Sequence, residues 1–245
     1  MNLTVLCYHS VQENPRSYGI NLEKFKEHVE FVSENYNVLT MTEAFERFQK
    51  SELSEDTVVF TFDDGLKTAL DAADILESHG ARGTFYVISG LLGELHEGQR
   101  VLETSEVKEL HDSGHEIGSH TVSHRHLTHY RSKHVGNEVI ESKSVLEDLI
   151  GEEITSFSYP YGDYNDEVVE EVGKADYKNA VTIDMSSINS SDDCLELPRH
   201  VVYDWHDRSH VKKMIEGNNI FKQVYWQYPF SNKSRMIRKI KNVFL

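Results

Sequence analysis

Two carboxylates stand side by side at Asp63-Asp64, directly after the run Thr57-Val58-Val59-Phe60-Thr61-Phe62 and directly before Gly65. Adjacent acids at the tip of a buried run are costly unless something positive sits beside them, and a metal ion is the obvious candidate. Further along, Ser119-His120-Thr121-Val122-Ser123-His124 sets two imidazoles four residues apart, so that on a helical turn or a tight loop both face one point. With a carboxylate from the acid pair they make a two-histidine, one-carboxylate set. Such a set leaves coordination positions open for water and substrate, as a catalytic metal requires. The chain has 14 histidines, and an isolated pair at this spacing is more often a solvated helix face. Spacing alone leaves both readings open.

The elements that must hold these residues are legible from the hydrophobic pattern. The run over 57–62 is β-branched and aromatic with no polar alternation, which suits a strand covered on both faces, as in a parallel sheet. Further strands are predicted at 3–8, 84–88, 115–120, 156–161, 180–183 and 197–202. Helices are predicted at 22–35, 66–79, 107–113, 135–150, 168–175 and 211–215, with another opened by the capping-box pattern Thr40-Met41-Thr42-Glu43 and running through Phe48. Strand and helix alternate about seven times, which implies an α/β protein with a parallel sheet and right-handed crossovers. In barrels of that type the chemistry sits on loops at the C-terminal strand ends. His9, Asp63-Asp64, His120 to His124, Pro160-Tyr161 and Arg199 each fall at or just after a predicted strand.

Composition narrows the class. At 245 residues, 38% apolar and 27% charged, the chain suits one soluble domain whose core needs no covalent staples. Cys7 and Cys194 are too few for a disulfide framework and read as small apolar residues of a reduced protein. Residues 1–6 lack the features of a secretory leader, so the expectation is a cytoplasmic protein or one whose leader was removed. No window approaches 18 consecutive apolar residues, so no membrane-spanning helix is expected. The net charge is −16, yet residues 221–245 hold six basic residues and no acid, leaving 19 basic against 41 acidic residues in 1–220. So acidic a body argues against a nucleic acid partner.

Order and spacing carry the reading further. Thr61-Phe62-Asp63-Asp64-Gly65, then Ser119-His120-Thr121-Val122-Ser123-His124 with Leu127, then Tyr159-Pro160-Tyr161-Gly162, resemble the motif series of the polysaccharide deacetylase family. That family is the NodB-homology domain, carbohydrate esterase family 4, and the resemblance spans residues 3 to 202. It implies a distorted (β/α) barrel of about seven parallel strands and a domain over 1–220. It also implies a divalent metal, zinc first, with cobalt, nickel or manganese as alternatives. The reaction implied is hydrolysis of the acetamide on an N-acetylhexosamine. Carried over by position, Asp64, His120 and His124 match the metal ligands, Asp63 the general base, and the Tyr161 backbone N–H an oxyanion donor. Tyr159 and Pro160 are candidates for substrate contact on the same motif.

Two departures from the family pattern direct attention elsewhere. The C-terminal Leu-x-His that supplies the acid in most members is missing, whereas Val5-Leu6-Cys7-Tyr8-His9-Ser10-Val11 resembles the poly-N-acetylglucosamine deacetylase branch, in which an early Tyr-His supplies it. His9 is therefore the expected general acid, with His206 as runner-up. Ser158 stands where the family places the arginine that orients the base. Arg199 could reach in from a neighbouring strand to replace it, the alternative being a surface salt bridge. Trp205 and Asp184 are candidates for the acetyl pocket or for structural roles.

Residues 221–245 mix aromatics with lysine and arginine, a composition suited either to a terminal segment docked on the acidic barrel or to peripheral contact with anionic lipid at the inner membrane face. The expected activity is metal-dependent N-deacetylation of a glycan or lipid-linked sugar. The rivals are an amidase of the same fold acting on a non-sugar amide, a non-catalytic glycan-binding homologue, and a non-haem iron oxygenase using the same ligand set. Oligomeric state is open.

Overall fold

The computed structural model describes residues 1–15 and 18–217. Seven parallel strands form the frame: β1 (Leu3–Tyr8), β2 (Thr57–Phe62), β3 (Thr84–Val87), β4 (Glu116–Ser119), β5 (Ser156–Ser158), β6 (Asn179–Val181) and β7 (His200–Val201). They pair in the order β6-β5-β4-β3-β2-β1-β7, so the last described strand returns to lie beside the first. The segment leading into β7 meets β6 through a parallel bridge between Val181 and Leu197. A short strand, Asn37–Val38, adds to the N-terminal half of β2. This is the curved parallel sheet the alternation predicts.

Helices α1 (Leu22–Asn35), α2 (Met41–Gln49), α3 (Ala69–Ser78), α4 (Thr104–Asp112), α5 (Ser132–Ile150) and α6 (Asp166–Lys174) lie in the connections between strands, and α7 (Arg208–Ile215) follows β7. Because side chains alternate along a strand, each strand serves two cores. Leu6, Tyr8, Val58, Phe60, Phe62, Phe85 and Phe157 pack with the helices in the larger core. Leu3, Val5, Val59, Tyr86 and Val181 pack inside the curve of the sheet with Met41, Phe45 and Leu197. Several inner positions are polar: Thr61 and Ser158 near the C-terminal ends of β2 and β5, Ser156 at the start of β5, and Arg199 just before β7 are all buried.

The element boundaries differ from the predictions for local reasons. Helix α3 starts at Ala69 rather than residue 66 because the turn before it is tied to residues 100–102: Leu66 bridges Val101, the Lys67 N–H donates to the Arg100 carbonyl, and the Leu102 N–H to the Gly65 carbonyl, the two bonds at 2.8 Å each. Thr40 caps α2 without a side-chain hydrogen bond, correcting the capping-box reading. The first-turn amides of α2 instead donate to Thr84 Oγ1 (Met41, 2.9 Å) and Glu116 Oε2 (Thr42, 3.1 Å), side chains that β3 and β4 bring from across the chain. A hairpin of Leu95–His96 and Gln99–Arg100 was not predicted; its turn residues Glu97 (φ 48°) and Gly98 (φ 76°) both take the left-handed conformation that a tight two-residue hairpin requires. Arg199 sits immediately before β7 rather than after it. No described helix is long and apolar enough to cross a membrane. The basic aromatic tail over 221–245 lies outside the described residues.

Candidate metal-dependent active site

The period of two along the strands decides what reaches the mouth of the sheet. On β1 the inner set Leu3, Val5, Cys7 continues to His9, and on β2 the inner set Val59, Thr61 continues to Asp63. Strand parity would send Asp64 to the opposite face from Asp63. Its left-handed backbone (φ 70°) breaks that alternation, and the following Gly65 (φ 58°) continues the turn. Thr121 (φ 67°) and His124 (φ 52°) do the same for the loop after β4. Non-glycine residues pay roughly 1–3 kcal/mol for such conformations, and they persist where the surroundings over-determine them.

These turns bring Asp64, His120 and His124 together: one ligand atom from each lies within 4.8 Å of the others. Asp64 Oδ1 is 3.5 Å from His120 Nε2 and 3.2 Å from His124 Nε2. Donor atoms on a tetrahedral zinc at ordinary bond lengths are about 3.3 Å apart, so the separations suit one shared cation. His120 Nδ1 lies 2.8 Å from the Ser158 carbonyl, a contact that fixes the tautomer and leaves Nε2 to the centre. Burial disfavours a charge on His120, but Asp63 and Asp64 outweigh it and raise its pKa. Burial and the neighbouring His120 lower that of His124 to about 3, leaving it a neutral donor. The three side chains therefore fit a divalent cation in position and in chemistry.

Asp63 is held differently. Arg199, fully buried, grips it with both arms of the guanidinium, Nη1 to Oδ1 and Nη2 to Oδ2 at 2.7 Å each. Ser158 Oγ donates to Asp63 Oδ2 at 3.2 Å and receives a bond from Arg199 Nη2 at 2.9 Å. The guanidinium is itself fixed by bonds to the Thr182 carbonyl and Thr61 Oγ1, 3.0 Å each. Burial alone would push the Asp63 carboxyl up; Arg199, then His120, overcome it and hold the group well below the usual carboxylate range. Arg199 is thus a buried partner of Asp63 and not a surface salt bridge. The small side chain of Ser158 admits it to the place that a longer residue would fill.

The remaining predicted residues divide. His9 lies beside the acid pair, with Cys7, His9 and Asp63 offering ligand atoms within 4.8 Å of one another, and its Nδ1 is buried with no hydrogen-bond partner among the described residues. Cys7 Sγ is 3.6 Å from Asp63 Oδ2, and burial keeps it a thiol. His206 is placed elsewhere. Its neighbours are His28, His200 and His210, on the helix-covered outer face, where Arg199 points inward and His200 by parity outward. Trp205 packs its ring on His206, with centroids 3.6 Å apart, in that same cluster. Asp184 accepts bonds from Tyr164 (2.8 Å) and Thr182 (3.2 Å).

Tyr159 and Pro160 correct the substrate-contact expectation. Tyr159 faces outward by parity, is buried in the larger core, and donates its hydroxyl to the Leu195 carbonyl at 2.8 Å; Pro160 is buried as well. Tyr161, at φ 58°, turns back to the site with its ring 4.5 Å from that of His124.

Sequence reasoning missed three contributors. Glu138 on α5 accepts hydrogen bonds from the Val122 N–H (3.0 Å), the Ser123 N–H (2.9 Å) and Ser123 Oγ (2.6 Å), clamping the loop that carries both histidines. His96 on the hairpin sets its ring edge-on to His124 at 4.6 Å. His126 stacks on Tyr161. None of these has a local sequence signal beyond proximity to His124 for the last.

Comparison with known proteins places this geometry among relatives. A family profile described as polysaccharide deacetylase matches residues 50–180. The chain is 31% identical over 183 residues to YxkH of Bacillus subtilis, provisionally named a polysaccharide deacetylase, covering 74% of this chain and 64% of that one. It is 30% identical over 119 residues to the peptidoglycan-N-acetylglucosamine deacetylase PgdA of Listeria monocytogenes, covering 47% of this chain and 24% of PgdA. The chain thus spans less than two thirds of the length of either relative. Among solved structures, the deacetylase PplD of Streptococcus pyogenes superposes with a TM-score of 0.80 at 24% identity, covering 88% of this chain and 98% of that one. IcaB of Ammonifex degensii does so with a TM-score of 0.79 at 23% identity, covering 88% and 97%.

Proposed function

Because the chain belongs to the polysaccharide deacetylase family, we propose that it hydrolyses the acetamide of N-acetylhexosamine units in a glycan or glycolipid, releasing acetate and leaving a free amine. The observation that carries this reading is the convergence of Asp64, His120 and His124 with the Asp63–Arg199 pair and His9 at one mouth of the sheet.

A divalent cation, zinc in our reading, held by Asp64, His120 and His124 would supply Lewis-acid polarisation of the amide carbonyl and make water acidic enough to react near neutral pH. The chain's own residues handle the protons. Asp63, kept ionised and oriented by Arg199, takes the proton of the attacking water on a carboxylate oxygen. His9, on the other side of Asp63 from the metal group's histidines in sequence and next to it in space, gives a proton to the amide nitrogen as the C–N bond breaks. The Tyr161 N–H donates to the carbonyl oxygen as charge builds there. Arg199 is a positioning residue: it touches the base and not the substrate. The relatives include peptidoglycan and chitin deacetylases, which supports an N-acetylated glycan as the substrate class.

The test is acetate release from N-acetylglucosamine oligomers by the full-length protein after chelation and zinc add-back. Release that returns with zinc and falls by about 10²- to 10⁴-fold in Asp63→Asn and in His9→Ala is the expected result. A zinc-loaded protein that releases no acetate from any N-acetylated sugar would overturn the reading.

A further inference from the structure

The two histidines of the candidate metal group are not held alike. His120 has an acceptor for its outer nitrogen, the Ser158 carbonyl at 2.8 Å from Nδ1. The outer nitrogen of His124, also Nδ1, is buried with no hydrogen-bond partner among the described residues. Its ring is nevertheless enclosed, with the ring centroids of His120 at 4.8 Å, Tyr161 at 4.5 Å and His96 at 4.6 Å. His96 carries the matching defect: its Nε2 is buried without a partner among the described residues. Polar atoms shut away from water and left unpaired are costly, so two of them on adjoining rings, set edge-on at 73°, mark each other as partners. The chain delivers His96 from the turn that carries Asp64. Leu66 bridges Val101, the Leu102 N–H donates to the Gly65 carbonyl at 2.8 Å, and the Gly93 N–H donates to the Leu102 carbonyl at 2.9 Å, so the hairpin between Gly93 and Leu102 is tied to residues 65–66. Ahead of the hairpin, the Ser89 and Gly90 N–H groups donate to the Thr121 (3.1 Å) and Val122 (3.0 Å) carbonyls of the histidine loop. Acid turn, hairpin and histidine loop are thus bonded into one unit, and His96 meets His124 within it.

We propose that His96 is a positioning residue for the metal group, its Nε2 accepting the Nδ1–H of His124 and so holding that ring with its own Nε2 toward the cation. A neutral histidine that ligates through Nε2 carries its proton on Nδ1. An outer acceptor for that proton fixes the ring and strengthens the ligating nitrogen. The two nitrogens are not bonded as the rings stand; with centroids 4.6 Å apart, a modest rotation of either ring brings them to hydrogen-bond length, about 3 Å. His96 then keeps its own proton on Nδ1. The role differs from that of Glu138, which holds the backbone of the loop, and from that of the Ser158 carbonyl, which serves His120. It rests on Asp64, His120 and His124 holding a cation, as the proposed function has it, and is independent of which amide is hydrolysed.

The experiment is competition between the full-length protein and a chelator for zinc, with the visible spectrum of the cobalt-loaded protein as a second readout. His96→Ala weakens zinc binding by about 10- to 100-fold. His96→Gln recovers most of the loss, because its amide oxygen can stand where Nε2 stood and accept the same proton. The visible bands of bound cobalt shift in the alanine variant and return in the glutamine one. Leu95→Ala trims a side chain of the same hairpin that is 62% exposed, and it binds zinc as the parent does. Metal-free parent and variants melt together, which separates lost binding from lost fold. Zinc affinity in His96→Ala equal to the parent's overturns the role, and so does a loss that His96→Gln shares in full, since His96 would then only fill space. A parent that binds no zinc overturns the metal reading and this inference together. Acetate release by the zinc-loaded parent is scored separately: zinc binding that depends on His96, without release from any N-acetylated sugar, sinks only the deacetylase.

Discussion

At the scale of single residues, the pairing of Asp63 with Arg199 is the contact on which the proposed base and the fold both depend. A fully buried carboxylate is tolerated here because two parallel N–H bonds and the Ser158 hydroxyl satisfy it. Arg199→Ala leaves the acid buried and unpaired, and a loss of about 3–5 kcal/mol of stability follows. Because the base also loses its orientation, acetate release falls by about a hundredfold or more in any molecules that still fold. Arg199→Lys keeps the charge but not the planar fork, so it recovers stability better than rate. Ser158 gives the decisive comparison. Placing Ser158→Arg on the Arg199→Ala background returns a guanidinium to the acid from β5, across the curve of the sheet, and both melting temperature and acetate release recover in part. If neither recovers, the arginine is needed at position 199 for a reason other than its hold on Asp63.

At the scale of elements, the site is a set of strand ends, and strand periodicity explains both what the sequence revealed and what it hid. Asp63-Asp64 is readable because an apolar run stops on it, and His120 and His124 because their spacing is local. Arg199 is readable only as one of two alternatives, since nothing local says which buried acid it faces across 136 residues. Tyr159-Pro160-Tyr161-Gly162 is contiguous in sequence yet divided in space: parity buries Tyr159, and a left-handed residue returns Tyr161 to the mouth. Glu138 was hidden because it lies on the exposed-looking start of α5, fifteen residues beyond Ser123. Its carboxylate takes three hydrogen bonds from the loop that holds His120 and His124, the candidate metal ligands, and outer groups play such a role around metal ligands. Glu138→Ala should weaken zinc binding by about 10- to 100-fold in competition with a chelator, with Glu138→Gln between it and the parent. Equal zinc affinity in all three would mean that the loop keeps its shape without the clamp.

At the scale of the whole molecule, the outer face of the sheet carries an acid sensitivity unconnected with the reaction. His28 on α1, His200 on β7 and His206 just before α7 are all buried where those elements meet. Burial lowers their pKa values to about 4, 4 and 3 respectively; His210, His28 and His200 add to the effect at His206. The groups facing them are Tyr8, whose hydroxyl is 3.2 Å from His28 Nδ1, together with Lys24, Asp207 and His210. Asp207, the acid whose charge acts on both His28 and His206, is already engaged with His210 at 2.8 Å. An unfolded histidine titrates near 6.5, so between there and about 4 the unfolded chain binds protons that the fold excludes. Stability from these groups is complete above about pH 6.5 and is lost as the pH falls toward their folded values, up to about 3 kcal/mol each at His28 and His200 and about 5 kcal/mol at His206. His200 isolates the effect, because both its ring nitrogens are buried without a hydrogen-bond partner among the described residues. His200→Leu removes a titrating group and an unpaired polar one together, so its melting temperature at neutral pH should match or exceed the parent's. Its decline between about pH 6.5 and 4.5 should be shallower than the parent's, since one fewer buried imidazole must charge. Parallel declines would place the acid sensitivity at the metal group instead, where parent and variant are identical.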